Sequence, residues 1–285
     1  MNQNQRGFEV KVVEDSISHH GVRLTTLQLR YPRFIHAEFM THRVFSRNAS
    51  SSRAIPVAKM IEQVRTNPAM PIHWGKNQPG MQANGEIDHV PDAIAQWRYA
   101  ASQAADRALE MTALGLHKQV ANRILEPFQW ISVVVTATEW ENFFELRDHA
   151  DAQPEIRYLA GMMRQAMDDS ISVERARDRL VATSWHLPYV TTRERAQYHD
   201  NPTFLAKLST ARNARTSYLT HDGVRPDPEK DLGLFERLVG SRPLHSSPTE
   251  HVGYPLPAAE QWSRNLRGWR QYRELVEIEV AGATQ

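Results

Sequence analysis

Residues 41–53 concentrate side chains that can bind an anion. This stretch contains three arginines, four serines, one histidine and one asparagine, and it contains no acidic residue. Arginine binds phosphate through two parallel hydrogen bonds, and serine or asparagine side chains and loop N–H groups can satisfy the remaining oxygens. The stretch follows residues 32–40, whose apolar members indicate a packed element. The composition fits an anion site at the end of that element, and it fits a solvated loop rich in serine and arginine equally well.

Arg147 is a second candidate. It continues an apolar stripe at helical spacing that consists of Trp140, Phe143 and Phe144. An arginine that extends such a stripe needs a partner, and a carbonyl or phosphate of a ligand would serve. The alternative is an arginine at a helix end that pairs with Asp148 or Asp151. The residues alone leave both alternatives open.

A third polar region comprises residues 210–218, which have the form of a basic helix end, and residues 245–251, a proline-containing turn with two histidines and one acid. A metal is disfavoured there, because histidine and carboxylate ligands usually show tighter helical spacing. His36 and Glu38 match the His-x-Glu of zinc deaminases, but those enzymes need cysteines and this chain has none. We interpret that match as chance.

The three regions together resemble the flavin-dependent thymidylate synthases. In that family a His-Arg pair leads into a spaced Ser-x-Asn and Ser-x-Arg loop, and the matching residues are His42, Arg43, Ser46, Asn48, Ser51 and Arg53. The resemblance implies that a nucleotide phosphate is held by Ser51, Ser52 and Arg53. It implies that the flavin is contacted by His42, Arg43, Val44 and Asn48. Ser51 is then a candidate catalytic residue but not a nucleophile, since no histidine–carboxylate pair that would activate it is recognisable.

Counterparts also occur in the other two regions. The resemblance assigns Arg123 to the nucleotide, Asn142 to the flavin and Arg147 to the pyrimidine base, where Arg147 is a candidate catalytic residue. In the family, an Ala-Arg-x-Ser motif and a His-x-(Ser/Thr)-Pro-x-Glu-His motif help to hold FAD. Their counterparts here are Ser217, His245, Ser247 and Glu250.

The order of the regions differs from that of the family, where the third region precedes the His-Arg segment. The chain therefore resembles a circular permutation, which is tolerated when the old termini lie close together and the new ends fall in an exposed loop. We expect an α+β fold with helices packed around an antiparallel or mixed sheet, flavin-dependent thymidylate synthase-like in permuted order. A single catalytic domain over residues 1–285 is expected, with residues 66–91, rich in proline and glycine, as a long loop excursion.

Some positions depart from the family pattern. Glu38, Thr41 and Ala49 stand where the family has glutamine, arginine and glutamate, and Asp151 replaces a histidine. Glu38 belongs to the substrate-binding positions, and its carboxylate can accept a hydrogen bond from the amino group of cytosine, which a uracil carbonyl cannot donate. The expected function is thymidylate synthesis from dUMP. The alternative is a flavin-dependent hydroxymethylase of dCMP or dUMP.

The resemblance implies FAD as cofactor, methylenetetrahydrofolate and NADPH as cosubstrates, and a homotetramer with shared active sites. The absence of cysteine fits a flavin route without thiolate addition, and it excludes disulfides and cysteine-bound metals. A net charge of +1 gives no general attraction to nucleic acid, so a nucleic-acid-binding module is a distant alternative and no stable nucleic-acid partner is expected. Without an apolar segment of spanning length or a leader-like start, a cytoplasmic protein is expected.

Periodicity and turn residues predict the elements that position these side chains. Strands are predicted over residues 8–13, 22–29 and 130–137, with a turn at 18–21. Helices are predicted over residues 32–41, 94–114, 116–125, 154–169, 173–182, 203–215, 230–239 and 260–279. A capping box at residues 138–141 is expected to start another helix that carries Arg147. The last helix is expected to place on one face Trp262, Leu266 and Trp269.

Overall fold

A mixed sheet of five strands forms the centre of the fold. The computed structural model describes residues 7–176, 178–216, 227–240 and 244–282. The strands are β1 Glu9–Ser18, β2 Arg23–Pro32, β3 Ser46–Ala49, β4 Trp130–Ala137 and β5 Val173–Arg175. Their order is β3-β4-β2-β1-β5, and the pairs are antiparallel except for the parallel pair of β1 and β5. Together with the helices around it, this sheet confirms the predicted α+β fold.

The helices lie on both faces and at the edges of the sheet. Their bounds are α1 His36–Phe39, α2 Val57–Thr66, α3 Val90–Ala113, α4 Lys118–Ala121, α5 Glu141–Arg147, α6 Pro154–Asp168, α7 Thr192–Gln197, α8 Pro202–Arg215, α9 Pro228–Val239 and α10 Tyr272–Gly282. Short 3-10 turns cover Arg33–Ile35, Asn122–Phe128, Ala182–Ser184 and Ser247–His251. Three two- and three-residue strands, β7 Trp262–Ser263, β8 Leu266–Arg267 and β9 Trp269–Gln271, follow β6 Gly253–Pro255. In the described part of the chain, no helix is both long and apolar enough to cross a membrane.

The two faces of the sheet bury different side chains. Because side chains alternate along a strand, Val133 and Val135 of β4 share one face, and they pack in the same core cluster as Phe143 of α5 and Leu159 of α6. The opposite face carries Thr136, whose Oγ1 lies 2.8 Å from the Nδ1 of His251. The chain after residue 180 therefore covers the second face and brings residues 245–251 against β4.

The predicted strands and most predicted helices are confirmed, with shifted ends. The predicted helix 173–182 is wrong in the described residues, and the predicted helix 260–279 is wrong in part. Residues 173–175 are strand, because Arg175 pairs with Glu14 and donates to the Oγ of Ser16 at 3.0 Å, which holds this segment along β1. The region 260–279 becomes a helix only at α10. Before it, Arg264 (φ 57°) and Gly268 (φ 71°) adopt left-handed turns that break a helix.

The same turns change the face expected for the last helix. Trp269 is fully buried and donates its ring N–H to the Val22 carbonyl at 3.1 Å, whereas Trp262 is 53% exposed. The predicted capping box is also wrong. The hydroxyl of Thr138 accepts from the backbone N–H of Arg267 at 3.0 Å, and Trp140 takes the N-cap position of α5 without a side-chain cap.

The range 66–91, predicted as a long loop excursion, includes the segment between α2 and α3. Between the end of α2 and the start of α3 the described chain has no helix or regular strand, and it folds back on itself through a bridge between Gly75 and Glu86. Trp74 of this excursion packs edge-on against Trp97 of α3 at 6.1 Å between ring centroids. This packing places the excursion along the rim of the cleft that contains Arg147.

Candidate functional site

A cleft of about 1070 Å³ lies between α1, α5 and the excursion. Its walls include Phe34, Glu38, His73, Trp97, Arg147 and Glu155. The cleft therefore combines aromatic side chains with one arginine and several acidic groups, a lining that can bind a partly polar small molecule.

Arg147 reaches this cleft from the last turn of α5, and its guanidinium contacts α1 and the residues that follow it. Its Nε donates to the Nε2 of His42 at 3.0 Å, and its Nη2 donates to the hydroxyl of Thr41 at 3.2 Å. Its Nη1 lies 3.5 Å from a carboxylate oxygen of Glu38. The alternative in which Arg147 pairs with Asp148 or Asp151 is wrong, because Asp148 accepts instead from Arg164 at 2.7 Å.

His42 fits its role as an acceptor. Burial, together with the positive charges of Arg147 and Arg47, lowers its pKa to about 4. The imidazole is therefore neutral near pH 7, so that its Nε2 has a lone pair for the N–H of Arg147. The helix stripe predicted from the sequence is confirmed, since Phe143, which precedes Arg147 on α5, is buried and packs edge-on against His42 at 4.9 Å.

Glu155 is a buried acid in the wall of the same cleft. One carboxylate oxygen accepts from the backbone N–H of Ile72 at 2.7 Å, and the other accepts from the side chain of Gln153. Burial raises its pKa, and the charge of Glu38 contributes in the same direction. Glu155 thereby fixes the excursion to the start of α6 and keeps the cleft wall in place.

The loop after β3 forms a second group of predicted site residues. Asn122 donates through its side-chain amide to the carbonyls of Ser52 at 2.6 Å and Ile55 at 3.0 Å, and this holds the loop against the turn after α4. Arg53 is exposed, and Arg123 follows directly after Asn122 and pairs with Glu126 at 2.8 Å. The structure therefore brings residues 51–53 and Arg123 to one surface, with both arginines accessible.

A third group joins the other face of β3 to residues 247–251. Asn265 donates to the Val44 carbonyl at 2.8 Å and to the Ser46 hydroxyl at 3.0 Å, and Gln271 donates to the carbonyl of Glu250 at 3.3 Å. In the same strand, the side-chain nitrogen of Asn48 is buried without a hydrogen-bond partner in the described residues. This nitrogen is one of several buried polar atoms near the third region that lack a hydrogen-bond partner in the described residues.

The remaining predicted flavin contacts lie at the surface. Arg43, Asn142, His245 and Ser247 are exposed, and the carboxylate of Glu250 pairs with Arg273. Burial raises the pKa of Glu250, and Arg273 opposes this shift. Ser217 lies outside the described residues, so its predicted role stays a prediction.

The comparison with known families decides what kind of protein this is. The family model for the thymidylate synthase complementing protein matches residues 18–171, over half of the 285 residues. The chain belongs to this family. It is accordingly an enzyme, a one-carbon transferase. The match contains the first two regions of predicted site residues, while the third region lies outside it, so the circular permutation and the flavin contacts of residues 217–250 stay predictions.

Two solved structures have low similarity to the chain. Both are of the UMP/dUMP methylase PolB from Streptomyces cacaoi. The one bound with 5-Br UMP has a TM-score of 0.46 and 19% identity, covering 56% of this chain and 88% of that chain. The one bound with 5-Br dUMP has a TM-score of 0.45 and 16% identity, and the match covers 56% of this chain and 89% of that chain. Likeness at this level carries no argument about activity. No curated protein matches the chain.

Within this member of the thymidylate synthase complementing family, the predicted residues fall into separate groups. Arg147, His42 and Glu38 form one group, and residues 51–53 with Arg123 form another. No hydrogen bond or ion pair in the described ranges joins these two groups. A ligand that contacts both groups would connect them.

Sequence reasoning missed several contributors. Arg47 was counted in the cationic stretch but received no role, although it lies half-buried on β3. Asn265 and Gln271, which connect β3 to the third region, belong to no recognised motif. The helix α2 was also missed, although Val57, Met60, Ile61 and Val64 have the spacing of a buried helix face, and so was α7 with its Thr191–Glu194 capping box.

Proposed function

We propose that this enzyme transfers a one-carbon unit from methylenetetrahydrofolate to C5 of a pyrimidine deoxynucleotide monophosphate, with dUMP as substrate and dTMP as product. FAD is the proposed cofactor and NADPH the reductant. The observation that carries the proposal is the position of Arg147 in the cleft of a family member, where a neutral His42 and Thr41 hold its guanidinium. In this reading the chain is one catalytic domain.

The residues around β3 fit a flavin. The buried amide nitrogen of Asn48 lacks an acceptor, which a carbonyl or ring nitrogen of an isoalloxazine would supply. Val44 is 39% exposed and offers apolar surface beside it, and Arg43 and Glu250 provide polar groups at the edge. A bound flavin supplies the carbon transfer and the reduction, while the protein supplies orientation and charge.

Arg147 has the main electrostatic role in this proposal. When C5 of the pyrimidine becomes nucleophilic, negative charge develops on a ring carbonyl, and a fixed guanidinium nearby lowers the energy of that state. His42 and Thr41 orient two edges of the guanidinium, so little reorganisation is needed when the charge develops. Since the chain has no cysteine, no thiolate can add to C6 of the base.

The phosphate of the nucleotide is assigned to the second group. Ser51, Ser52 and Arg53 supply hydroxyl and guanidinium donors on a loop that Asn122 fixes, and Arg123 stands next to it. From the family resemblance, we propose a homotetramer in which neighbouring subunits complete each site.

Glu38 supports a second candidate function, in which dCMP or dUMP receives a hydroxymethyl group. Its carboxylate is 38% exposed to the cleft and lies 3.5 Å from the guanidinium of Arg147. Arginine can donate to the O2 carbonyl of a pyrimidine while the carboxylate accepts from the exocyclic amino group of cytosine. Glu38→Gln would replace the carboxylate by a neutral amide and remove the preference for cytosine over uracil.

The deciding experiment incubates the purified protein with FAD, NADPH, labelled methylenetetrahydrofolate and either dUMP or dCMP. dTMP formed from dUMP supports the first candidate. A 5-hydroxymethyl nucleotide without dTMP would defeat it and establish the second. Glu38→Gln is compared with Glu62→Gln, a control on the exposed side of α2, and only the first should change the ratio of dUMP to dCMP turnover.

A further inference from the structure

Arg47 is a half-buried cation that its surroundings leave incompletely paired. It extends from β3, and the one contact of its side chain within the described residues is the hydrogen bond from Nη1 to the carbonyl of Met40 at 2.9 Å. A guanidinium has five N–H donors, so most of them have no protein acceptor. It forms no ion pair with any described residue.

The surroundings of Arg47 are rich in positive charge. Burial lowers the pKa of His36 and His42 to about 4, with smaller contributions from Arg33 at His36, from Arg147 at His42 and from Arg47 at both, so these two rings are neutral at pH 7. Tyr31 and Glu250 act on Arg47 in the opposite direction to burial, but the carboxylate of Glu250 is bonded to Arg273.

A half-buried charge without a counter-charge is unfavourable unless a ligand provides the partner. Burial lowers the pKa of Arg47, which is the expected sign of a cation that lacks sufficient solvation. The guanidinium nevertheless stays charged at neutral pH. An anion that reached Arg47 would therefore gain both free N–H donors and a positive charge.

The position of Arg47 relative to Thr41 is informative. Arg47 donates to the carbonyl of Met40, immediately before Thr41, and Arg147 donates to the hydroxyl of Thr41. The two arginines therefore approach the same turn from two sides. Residue 41 is a threonine where the sequence pattern of the resembling enzymes has arginine, so Arg47 brings a cation from a neighbouring strand to the turn that lacks one.

We propose that Arg47 is a phosphate-binding residue of this enzyme and that it replaces the cation absent at position 41. The ligand is a phosphate ester that binds at the turn of residues 40–41, which Arg47 and Arg147 both contact. It is either the monophosphate of the pyrimidine nucleotide or the diphosphate of the dinucleotide cofactor. The choice of ligands rests on the proposed function, whereas the assignment of an anion to Arg47 rests on its contacts.

The test measures binding by titration calorimetry with two matched pairs of probes. One pair is dUMP and deoxyuridine, and the other is FAD and riboflavin, so that each pair differs by its phosphate groups. Arg47→Ala should weaken binding of one phosphate-bearing probe about 10- to 100-fold, since a charge-assisted hydrogen bond is lost, and should leave its phosphate-free partner within about twofold. A loss for dUMP identifies the monophosphate, and a loss for FAD identifies the diphosphate.

A compensating variant makes the test specific. In the double variant Thr41→Arg with Arg47→Ala the cation returns from position 41, and most of the lost affinity should return. The control is Arg107→Ala, which removes an exposed arginine of α3 paired with Glu110. If Arg47→Ala does not fold, Arg47→Gln and Arg47→Lys are measured instead, and lysine should retain more affinity than glutamine.

The assignment is overturned if the Arg47 variants bind both phosphate-bearing probes as tightly as the unmodified chain. It is also overturned if they lose affinity equally for the probes without phosphate, which would indicate a structural role. A chain that binds dUMP and FAD but shows no turnover would defeat the proposed function and leave the assignment of Arg47 intact.

Discussion

The Nε of Arg147 donates to the Nε2 of His42 across 3.0 Å, and this contact fixes the guanidinium at the end of α5. The contact requires a neutral imidazole, and burial keeps the pKa of His42 at about 4. A histidine that a sequence motif places beside a cofactor thus has an additional role in this chain, because it positions the arginine proposed to face the substrate.

Replacement of Arg147 should test the proposed charge stabilisation. Arg147→Ala is expected to lower kcat/KM about 100-fold or more, because one preorganised donor to a developing oxyanion typically contributes this much. Steady-state turnover of dUMP measures the effect. Arg65→Ala, which removes an exposed ion pair with Asp106, is the control and should retain full turnover. A reduction below threefold in Arg147→Ala would show that this arginine does not act on the reacting base.

Asn122 should matter for both stability and nucleotide binding. Its side chain is fully buried and bonds two carbonyls of the loop that contains Arg53. Asn122→Ala should lower the free energy of unfolding by about 1–3 kcal/mol and weaken dUMP binding. Asn122→Asp should be worse, since it brings an acceptor to two carbonyl acceptors. Urea unfolding and nucleotide titration measure both effects, with exposed Gln119→Ala as control. Equal stability of all three variants would contradict the assigned anchoring.

The regular elements were predictable where the pattern was local. The β-branched run 130–137 contains enough apolar residues to specify a strand, and the stripe that ends at Arg147 specified the buried face of α5. Residues 173–175 and 260–271 could not be predicted in this way. Their conformation depends on distant partners, such as Glu14 for Arg175 and Val22 for Trp269, and these contacts override local helix propensity.

The same distinction between local patterns and distant contacts applies to the candidate site. The motif identified residues 42–53 and Arg147, but not the partner of Arg147, because Glu38 and His42 meet it only when α1 folds against α5. Arg47 occupies a variable position within the motif, so only its contacts in three dimensions draw attention to it. The bonds of Asn265 and Gln271 to β3 likewise depend on the tertiary fold.

Buried neutral histidines should make the fold sensitive to acid. His251 is fully buried and burial lowers its pKa to about 3, while the ordinary value is 6.5. The unfolded chain therefore binds a proton that the folded chain excludes, so the contribution to stability is complete above pH 6.5 and is lost as the pH falls towards 3. In that window each such histidine contributes a slope of about 1.4 kcal/mol per pH unit.

Buried acids with raised pKa values, such as Glu155 and Glu250, bind a proton in the folded chain at a higher pH than in the unfolded chain. They therefore increase stability as the pH falls below their folded pKa, and this offsets part of the loss from the histidines. Urea unfolding at pH 7.5, 6.0 and 5.0 measures the slope. Between pH 6.0 and 5.0, His251→Asn should reduce the slope of the unfolding free energy against pH by about 1.4 kcal/mol per pH unit, the value for one proton. His199→Asn, at an exposed position, should leave this slope unchanged. An identical slope in His251→Asn would mean that His251 is protonated in the folded chain.

The placement of Arg147 and Arg53 in two unbonded groups leads to a test of the proposed shared site. Suppose that each active site takes Arg147 from one subunit and Arg53 from a neighbour. Arg147→Ala and Arg53→Ala are then each inactive as pure preparations, but in a mixed oligomer some sites contain both native arginines. Joint unfolding and refolding of the two variants should therefore restore a substantial fraction of the turnover. If one chain supplies both residues of its own site, every site in the mixture carries one substitution, and the mixture stays as inactive as its components.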